Sequence, residues 1–290
     1  MLRRDFLHCT SRAAAGALLA PHSWTRRLVA IPPPSQKFAA SDTVTLGSTG
    51  IRTSRLAMGT GTVGAGHHSH QTALGLEGLS RLLQNGYHES GLRFFDAADA
   101  YGSHPHVAEA LKHLDRSQVT ILTKSWARDA DEMRSDLDRF RRELGTEQID
   151  ILLMHCLTEA DWTTRYRPVM DVLEEAKQKK IIRAHGCSCH SIEALRAAAK
   201  SPWVDVDLAR INPVGAVMDA DPDAVVAILR EMKAAGKAVL GMKILGQGAL
   251  RSRQNEALRF ALGLNLLDAF TIGAESISEQ NDLVRRIAAA

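Results

Sequence analysis

The feature that most constrains this chain is an alternation repeated eight times after Val44: a short apolar run, then a longer stretch with apolar residues at helical spacing. The runs fall at residues 55–59, 92–96, 119–124, 149–155, 184–188, 206–211, 239–243 and 269–272. Between two of them, residues 131–144 place Met133, Leu137, Phe140 and Leu144 at steps of three and four, which gives a helix one apolar face. Residues 169–180 and 225–236 behave alike, and Gly236 stands where a helix C-cap belongs. Eight strand–helix units predict an α/β fold with a parallel sheet and crossover helices. A doubly wound open sheet is the main rival. Its dinucleotide-binding version needs Gly-x-Gly-x-x-Gly at the first strand–helix junction, and none stands there. About 250 residues follow the first forty, the usual length of one (β/α)8 TIM barrel. Ahead of the first barrel strand, Val44-Thr45-Leu46, Gly47-Ser48-Thr49-Gly50 and Ile51-Arg52-Thr53 read as a short β-hairpin that would plug the barrel's bottom.

The first forty residues read differently. Arg3-Arg4-Asp5-Phe6-Leu7 precedes the small apolar run from Ala13 to Ala20, then come Pro21, Arg26-Arg27 and Pro32-Pro33-Pro34. Positive charge ahead of a short, mildly apolar stretch is the physics of an export signal, and the paired arginines resemble the twin-arginine type. The expected organisation is therefore a signal and linker over residues 1–40 and a single barrel domain over 41–290. The twin-arginine export machinery becomes an expected partner, with an exported location if the signal is used and a cytoplasmic one otherwise. No run of about 18 apolar residues exists, so no stable membrane span is expected. A net charge of +3 gives no electrostatic case for nucleic acid. Four cysteines in 290 residues are too few for a disulfide scaffold.

In barrels the chemistry sits at the C-terminal ends of the strands. The second predicted strand ends in Asp96, followed closely by Tyr101; the third ends in Lys124 and the fourth in His155. Singly, each has an ordinary reading as a cap, an ion-pair partner or a satisfied core group. At consecutive strand ends they share one mouth. A carbonyl that takes up hydride needs a proton on its oxygen, and a phenol can supply it. Tyrosine's usual pKa near 10 is high for this work. A buried ammonium beside it would favour the phenolate and lower that pKa. Lys124 is placed for this, Asp96 to keep Lys124 charged, and His155 to orient the carbonyl.

This constellation resembles the aldo-keto reductase superfamily over residues 44–283. The stretches that carry the resemblance are Ser54-Arg55-Leu56-Ala57-Met58-Gly59-Thr60-Gly61, Phe94-Phe95-Asp96-Ala97-Ala98-Asp99-Ala100-Tyr101-Gly102-Ser103, Ile121-Leu122-Thr123-Lys124, Asp150-Ile151-Leu152-Leu153-Met154-His155 and Ile182-Arg183-Ala184-His185-Gly186-Cys187-Ser188. The resemblance implies reduction of an aldehyde or ketone, or the reverse oxidation, with a small carbonyl compound as substrate and NADP(H), or alternatively NAD(H), as cofactor. Tyr101 would be the proton donor. Gly59, Thr60, Asp96, Ser188, Cys189, Lys243, Leu245, Gly246, Gly273 and Gln280 would bind the cofactor, and Trp126 and Trp162 would wall the substrate pocket. Several family positions differ here. Cys189 replaces an asparagine, Leu208 a glutamine and Ile211 an aromatic residue. Glu275 stands where an arginine commonly pairs with the 2′-phosphate, which weakens the case for NADP(H).

Two other readings follow from the same residues. Cys187-Ser188-Cys189-His190, His155-Cys156 and the loop His67-His68-Ser69-His70 offer soft ligands for zinc or copper. Strand alternation points Cys187 and Cys189 to one face, opposite Ser188, and buried cysteine is common, so no metal site is expected. A non-catalytic cofactor-binding sensor or accessory barrel is the functional alternative, favoured by the altered cofactor positions and opposed by the intact Asp96, Tyr101, Lys124 and His155.

Overall fold

The hairpin expected at the start of the domain is present, as strands β1 (Thr43–Thr45) and β2 (Arg52–Ser54) in antiparallel register. These observations come from a computed structural model that describes residues 37–290. The twin-arginine-like segment lies outside the described residues.

All eight apolar runs form strands: β3 (Leu56–Gly59), β4 (Phe94–Asp96), β5 (Thr120–Ser125), β6 (Ile149–Leu157), β7 (Ile182–Cys189), β8 (Val206–Arg210), β9 (Ala238–Met242) and β10 (Ala269–Ile272). They pair in parallel and close into a barrel in the order β10-β3-β4-β5-β6-β7-β8-β9. The helices are α1 (Gly75–Ser90), α2 (His104–Leu111), α3 (Ala130–Leu144), α4 (Trp162–Arg165), α5 (Arg167–Gln178), α6 (Ile192–Lys200), α7 (Pro222–Ala234), α8 (Gln254–Gly263) and α9 (Ile277–Ala288). The fold is thus a TIM barrel preceded by a hairpin. Among the described residues, no helix is long and apolar enough to cross a membrane.

Local chemistry sets the helix ends. At the start of α3 the Asp129 carboxylate accepts from the Glu132 amide, and Gly145 ends the helix in the left-handed region. Ser191 and Ser276 cap α6 and α9 in the same way. The apolar face read from the sequence is the buried one: Met133, Leu137, Phe140 and Leu144 all lie under α3.

Strand alternation divides the interior into two cores. One lies inside the barrel and includes Ala57, Phe94, Leu122, Ile151, Ala184, Leu208 and Leu240, with Leu46 and Ile51 of the hairpin joining it. Both hairpin residues are fully buried, each contributing on the order of 1.5–3 kcal/mol. The Ser48 amide donates to the Gly236 carbonyl at 2.8 Å, which fixes the plug to the start of β9. The larger core lies between the strands and the helices.

Most strands differ from the sequence reading by a residue or two at an end, and two of these differences bear on the site. β6 runs two residues beyond His155, through a register shift between Met154 and Leu157 that leaves Cys156 at φ +61 before pairing resumes with Cys189. β7 starts at Ile182, where its pairing with Ile149 begins.

The β7–β8 pairing leaves no room for a side chain at Gly186, whose partner across the sheet is Val206. A Cβ on Gly186 would stand 1.8 Å from the Val206 carbonyl oxygen. Gly186→Ala is expected to cost about 3 kcal/mol or more by forcing β7 and β8 apart, which corresponds to a Tm lower by roughly 6–12 °C. Thermal unfolding followed by circular dichroism checks this; an unchanged Tm would refute it.

Candidate active site

The strand ends bring together the four residues expected from the sequence. Lys124, near the end of β5, is fully buried and forms an ion pair with Asp96, the last residue of β4. Its ammonium also donates to the Ala97 carbonyl at 2.8 Å and lies 4.8 Å from the centre of the Tyr101 ring. The Tyr101 and His155 rings meet edge to face, 5.8 Å between centres. Trp126 flanks His155 from the other side at 5.1 Å.

Burial would discharge Lys124, but Asp96 and Tyr101 outweigh it and the ammonium is held above its ordinary pKa. Tyr101 differs from the sequence expectation. Its burial raises the phenol's pKa more than Lys124 lowers it, and the Asp96 charge adds to the rise. The phenol therefore keeps its proton rather than standing as a phenolate. Burial also drives His155 well below its ordinary pKa, with the positive charges of Lys124, His190, Arg128 and Lys243 acting the same way. The imidazole is neutral and can donate one hydrogen bond. Among the described residues, neither His155 Nδ1 nor Trp126 Nε1 has a partner, although both are buried.

The loop after β3 encloses the acid. A Cβ on Gly61 would fall 2.2 Å from Cε2 of Tyr101, and one on Gly64 would fall 2.3 Å from its Cδ1. The two glycines let the backbone lie against both edges of the ring. The turn that carries Tyr101 is anchored by Arg139 of α3, which donates to Asp99 at 2.7 Å and also holds Asp136 and Glu143. The sequence reading missed these supports. The spacing of Gly59, Gly61 and Gly64 was the available signal for the loop; nothing in the sequence marks Arg139.

The positions assigned to a cofactor fall into three groups. Lys243, Leu245 and Gly246 follow β9 at the mouth, and Lys243 adopts φ +58. Lys243 is half-buried, and burial together with Arg210 and Lys124 lowers its pKa. Among the described residues no carboxylate pairs with it. Ser188 is also buried at the mouth end of β7, its Oγ accepting from the Cys156 amide at 3.1 Å. A second group ties loops together. Thr60 Oγ1 lies 2.8 Å from both the Asp96 carbonyl and Ser103 Oγ. Gly59 and Gly273 pack closely, with a Cβ on Gly59 3.0 Å from the Gly273 amide nitrogen. The third group faces elsewhere. The Cys189 thiol points to Cys187 beneath the helices. The Gln280 amide is spent between α9 and α1, on Asn85 and the Leu82 carbonyl. Leu208 fills the barrel interior and Ile211 the outer core.

Of the two tryptophans assigned to the pocket, only Trp126 is at the mouth. Trp162 is fully buried between α4 and α6, its indole N–H donating to the Ala194 carbonyl at 3.1 Å. Its apolar bulk fills the helix layer instead. The histidine loop serves as a strap: His67 Nδ1 contacts the Asp99 carbonyl at 3.0 Å and His70 pairs with Glu275 at 2.8 Å.

A closed parallel barrel with a buried aspartate–lysine pair, a protonated phenol and a neutral imidazole at its mouth has the makings of a barrel oxidoreductase. The Aldo/keto reductase family profile matches residues 55–266, and the chain belongs to that family, whose members are oxidoreductases acting on carbonyl groups. Among curated proteins it is similar to the NADH-specific methylglyoxal reductase of Escherichia coli (strain K12), 25% identical over an alignment 199 residues long, with 61% of this chain and 60% of that protein covered. The match thus spans about three fifths of the relative's length. Among solved structures it is similar to the aldo-keto reductase AKR11C1 of Bacillus halodurans in its holo form (TM-score 0.71, 17% identity, 86% of this chain and 92% of that one). A structure from Pseudomonas aeruginosa assigned as an aldo-keto reductase superposes with TM-score 0.70 at 20% identity, over 87% of this chain and 96% of the other. At these identities the structural likeness shows the fold.

The neutral His155 makes stability depend on pH in a definite direction. The unfolded chain takes up a proton on this histidine below its usual pKa of about 6.5 while the folded site resists it. This histidine's contribution to stability is therefore complete above that pH and falls as the pH drops through it, with a slope of up to about 1.4 kcal/mol per pH unit. Burial depresses the pKa values of His185 and His106 in the same sense. Urea unfolding at a series of pH values should show the loss between pH 7 and 5, and His155→Gln should flatten part of it. An identical slope in the variant would refute the assignment.

Proposed function

We propose that the protein reduces small aldehydes or ketones with NADH, Tyr101 giving the proton. The observation that carries this reading is the buried Lys124, clamped by Asp96 and set against the ring of a phenol that faces His155. A substrate oxygen placed between the Tyr101 hydroxyl and the neutral His155 imidazole would accept a hydrogen bond from the imidazole and the proton of the phenol. Lys124 then stabilises the phenolate left behind, and Asp96 keeps the lysine charged and fixed. Because burial holds the phenol protonated at neutral pH, the acid is ready before reduction begins.

The residues present fit a nicotinamide nucleotide at its phosphate end. Lys243 would meet a phosphate, Gly246 would allow close approach, and Ser188 remains to contact the nicotinamide side. Bound there, the reduced nicotinamide supplies the hydride. The adenine side favours NADH. Glu275 lies on the loop after β10, paired with His70 and half-exposed, where its charge would repel a 2′-phosphate. The NADH-specific relative supports this choice. Methylglyoxal, the substrate in that relative's name, is the first compound to try.

In a steady-state assay of NADH oxidation with methylglyoxal and other small aldehydes, Tyr101→Phe should lower kcat by roughly 10²–10⁴-fold with little effect on nucleotide binding. A rate that survives Tyr101→Phe would refute the proton role. Nucleotide binding with no turnover in the unmodified protein would favour the sensor alternative. Glu275→Arg should raise kcat/KM for NADPH relative to NADH by about tenfold or more, the effect of some 1.4 kcal/mol. An unchanged ratio would place the 2′-phosphate away from this loop.

A further inference from the structure

We propose that Cys187, Cys189 and Asp207 form a metal site of their own, for a thiophilic divalent cation of the zinc type, on the outer face of the barrel. The sequence offered the two cysteines but not their partner. Strand alternation turns Cys187 and Cys189 outward together, away from Ser188 and the mouth, and the β7–β8 register sets Asp207 directly beside Cys187. The three residues are fully buried, and their ligand atoms all lie within 4.8 Å of one another.

Two of the three ligand-to-ligand edges have the spacing of tetrahedral coordination, and the third, Cys189 to Asp207, is within 4.8 Å. Bonds of about 2.3 Å to sulfur and 2.0 Å to oxygen require edges of roughly 3.8 Å between sulfurs and 3.5 Å from sulfur to oxygen. The Cys187 and Cys189 sulfurs are 3.8 Å apart, and Cys187 Sγ is 3.5 Å from Asp207 Oδ1. A disulfide would need about 2.05 Å.

Charge and hydrogen bonding point the same way. Two thiol protons can run from Cys189 to Cys187 to Asp207 Oδ1, but among the described residues Asp207 Oδ2 is left without a partner. Asp219 lies near enough for its charge to act on both Asp207 and Cys189, and its own Oδ2 is likewise buried and unpartnered. The nearby cations are spent elsewhere: Lys237 on the Ser201 and Val204 carbonyls, Arg210 on the other oxygen of Asp219. A divalent cation answers both deficits. On loading, each thiol gives its proton to solvent, the two thiolates and the carboxylate bind the metal, and no electron is transferred. A second cluster, Asp99 with His104 and Glu143, makes the contrast. There Arg139 already supplies the positive charge, so that cluster calls for no metal.

The test uses the full chain with Cys9→Ser and Cys156→Ser, which leaves Cys187 and Cys189 as its thiols. Titrating this reduced protein with Co²⁺ should give a thiolate-to-cobalt charge-transfer band and the visible bands of a tetrahedral ion, saturating at one equivalent. Zn²⁺ should displace the cobalt and raise Tm by several degrees. Cys187→Ser and Cys189→Ser should each weaken the charge-transfer band by about half, and Asp207→Asn should weaken cobalt affinity at least tenfold. Circular dichroism of each variant verifies that it has folded, and elemental analysis of the unmodified protein reports any metal carried from expression. No charge-transfer band at excess Co²⁺ would overturn the proposal. So would a band unaffected in either cysteine variant, or a mass two hydrogens low that reports a Cys187–Cys189 disulfide. None of these readouts depends on carbonyl reduction.

Discussion

An ammonium group with no exposure to water is the constraint around which the mouth of this barrel is organised. Left alone, Lys124 would give up its proton rather than its hydration. Asp96 on the adjacent strand prevents this, and the Ala97 carbonyl takes a further N–H. The pair can form because parallel strands β4 and β5 end side by side and deliver both side chains to one end of the barrel. Such buried pairs add little to net stability, since desolvation offsets most of their attraction. What the pair secures is a fixed positive charge beneath the ring of Tyr101.

Around that charge the protein holds its two proton-bearing groups in their neutral forms. Tyr101 keeps its proton because burial outweighs Lys124, and His155 sheds its second proton because burial and the nearby Lys124, Arg128 and Lys243 disfavour imidazolium. Opposite directions of shift thus yield a loaded acid and a neutral hydrogen-bond donor side by side. This separation of protonation states comes from the site's low polarity more than from any single contact.

The fold was largely legible because alternation of short and long apolar patterns leaves few architectures, and the hairpin plug followed from its turn residues. That Asp96, Tyr101, Lys124 and His155 would meet at one mouth was legible because strand ends are countable. Legibility failed where a side chain's direction depends on packing. Trp162 and Gln280 match family positions in the sequence, yet the helix layer absorbs both. The expected lowering of the Tyr101 pKa failed for a related reason: spacing reveals the neighbouring ammonium but not how much water the fold removes. The glycines against the Tyr101 ring and the Arg139 anchor come from separate segments that meet only in three dimensions. Asp207, twenty residues from Cys187, is the same case.

The strap between β3 and α1 is fastened at both ends of the mouth. His67 holds it to the turn that carries Tyr101, while His70 and Gln71 hold it to the loop after β10. It works as a tie-rod of set length between the acid and the far side of the barrel. A residue inserted or deleted between His67 and His70 would have to be absorbed at one anchorage or the other. The segment therefore tolerates an exchange of side chains between its anchors more readily than a change of span.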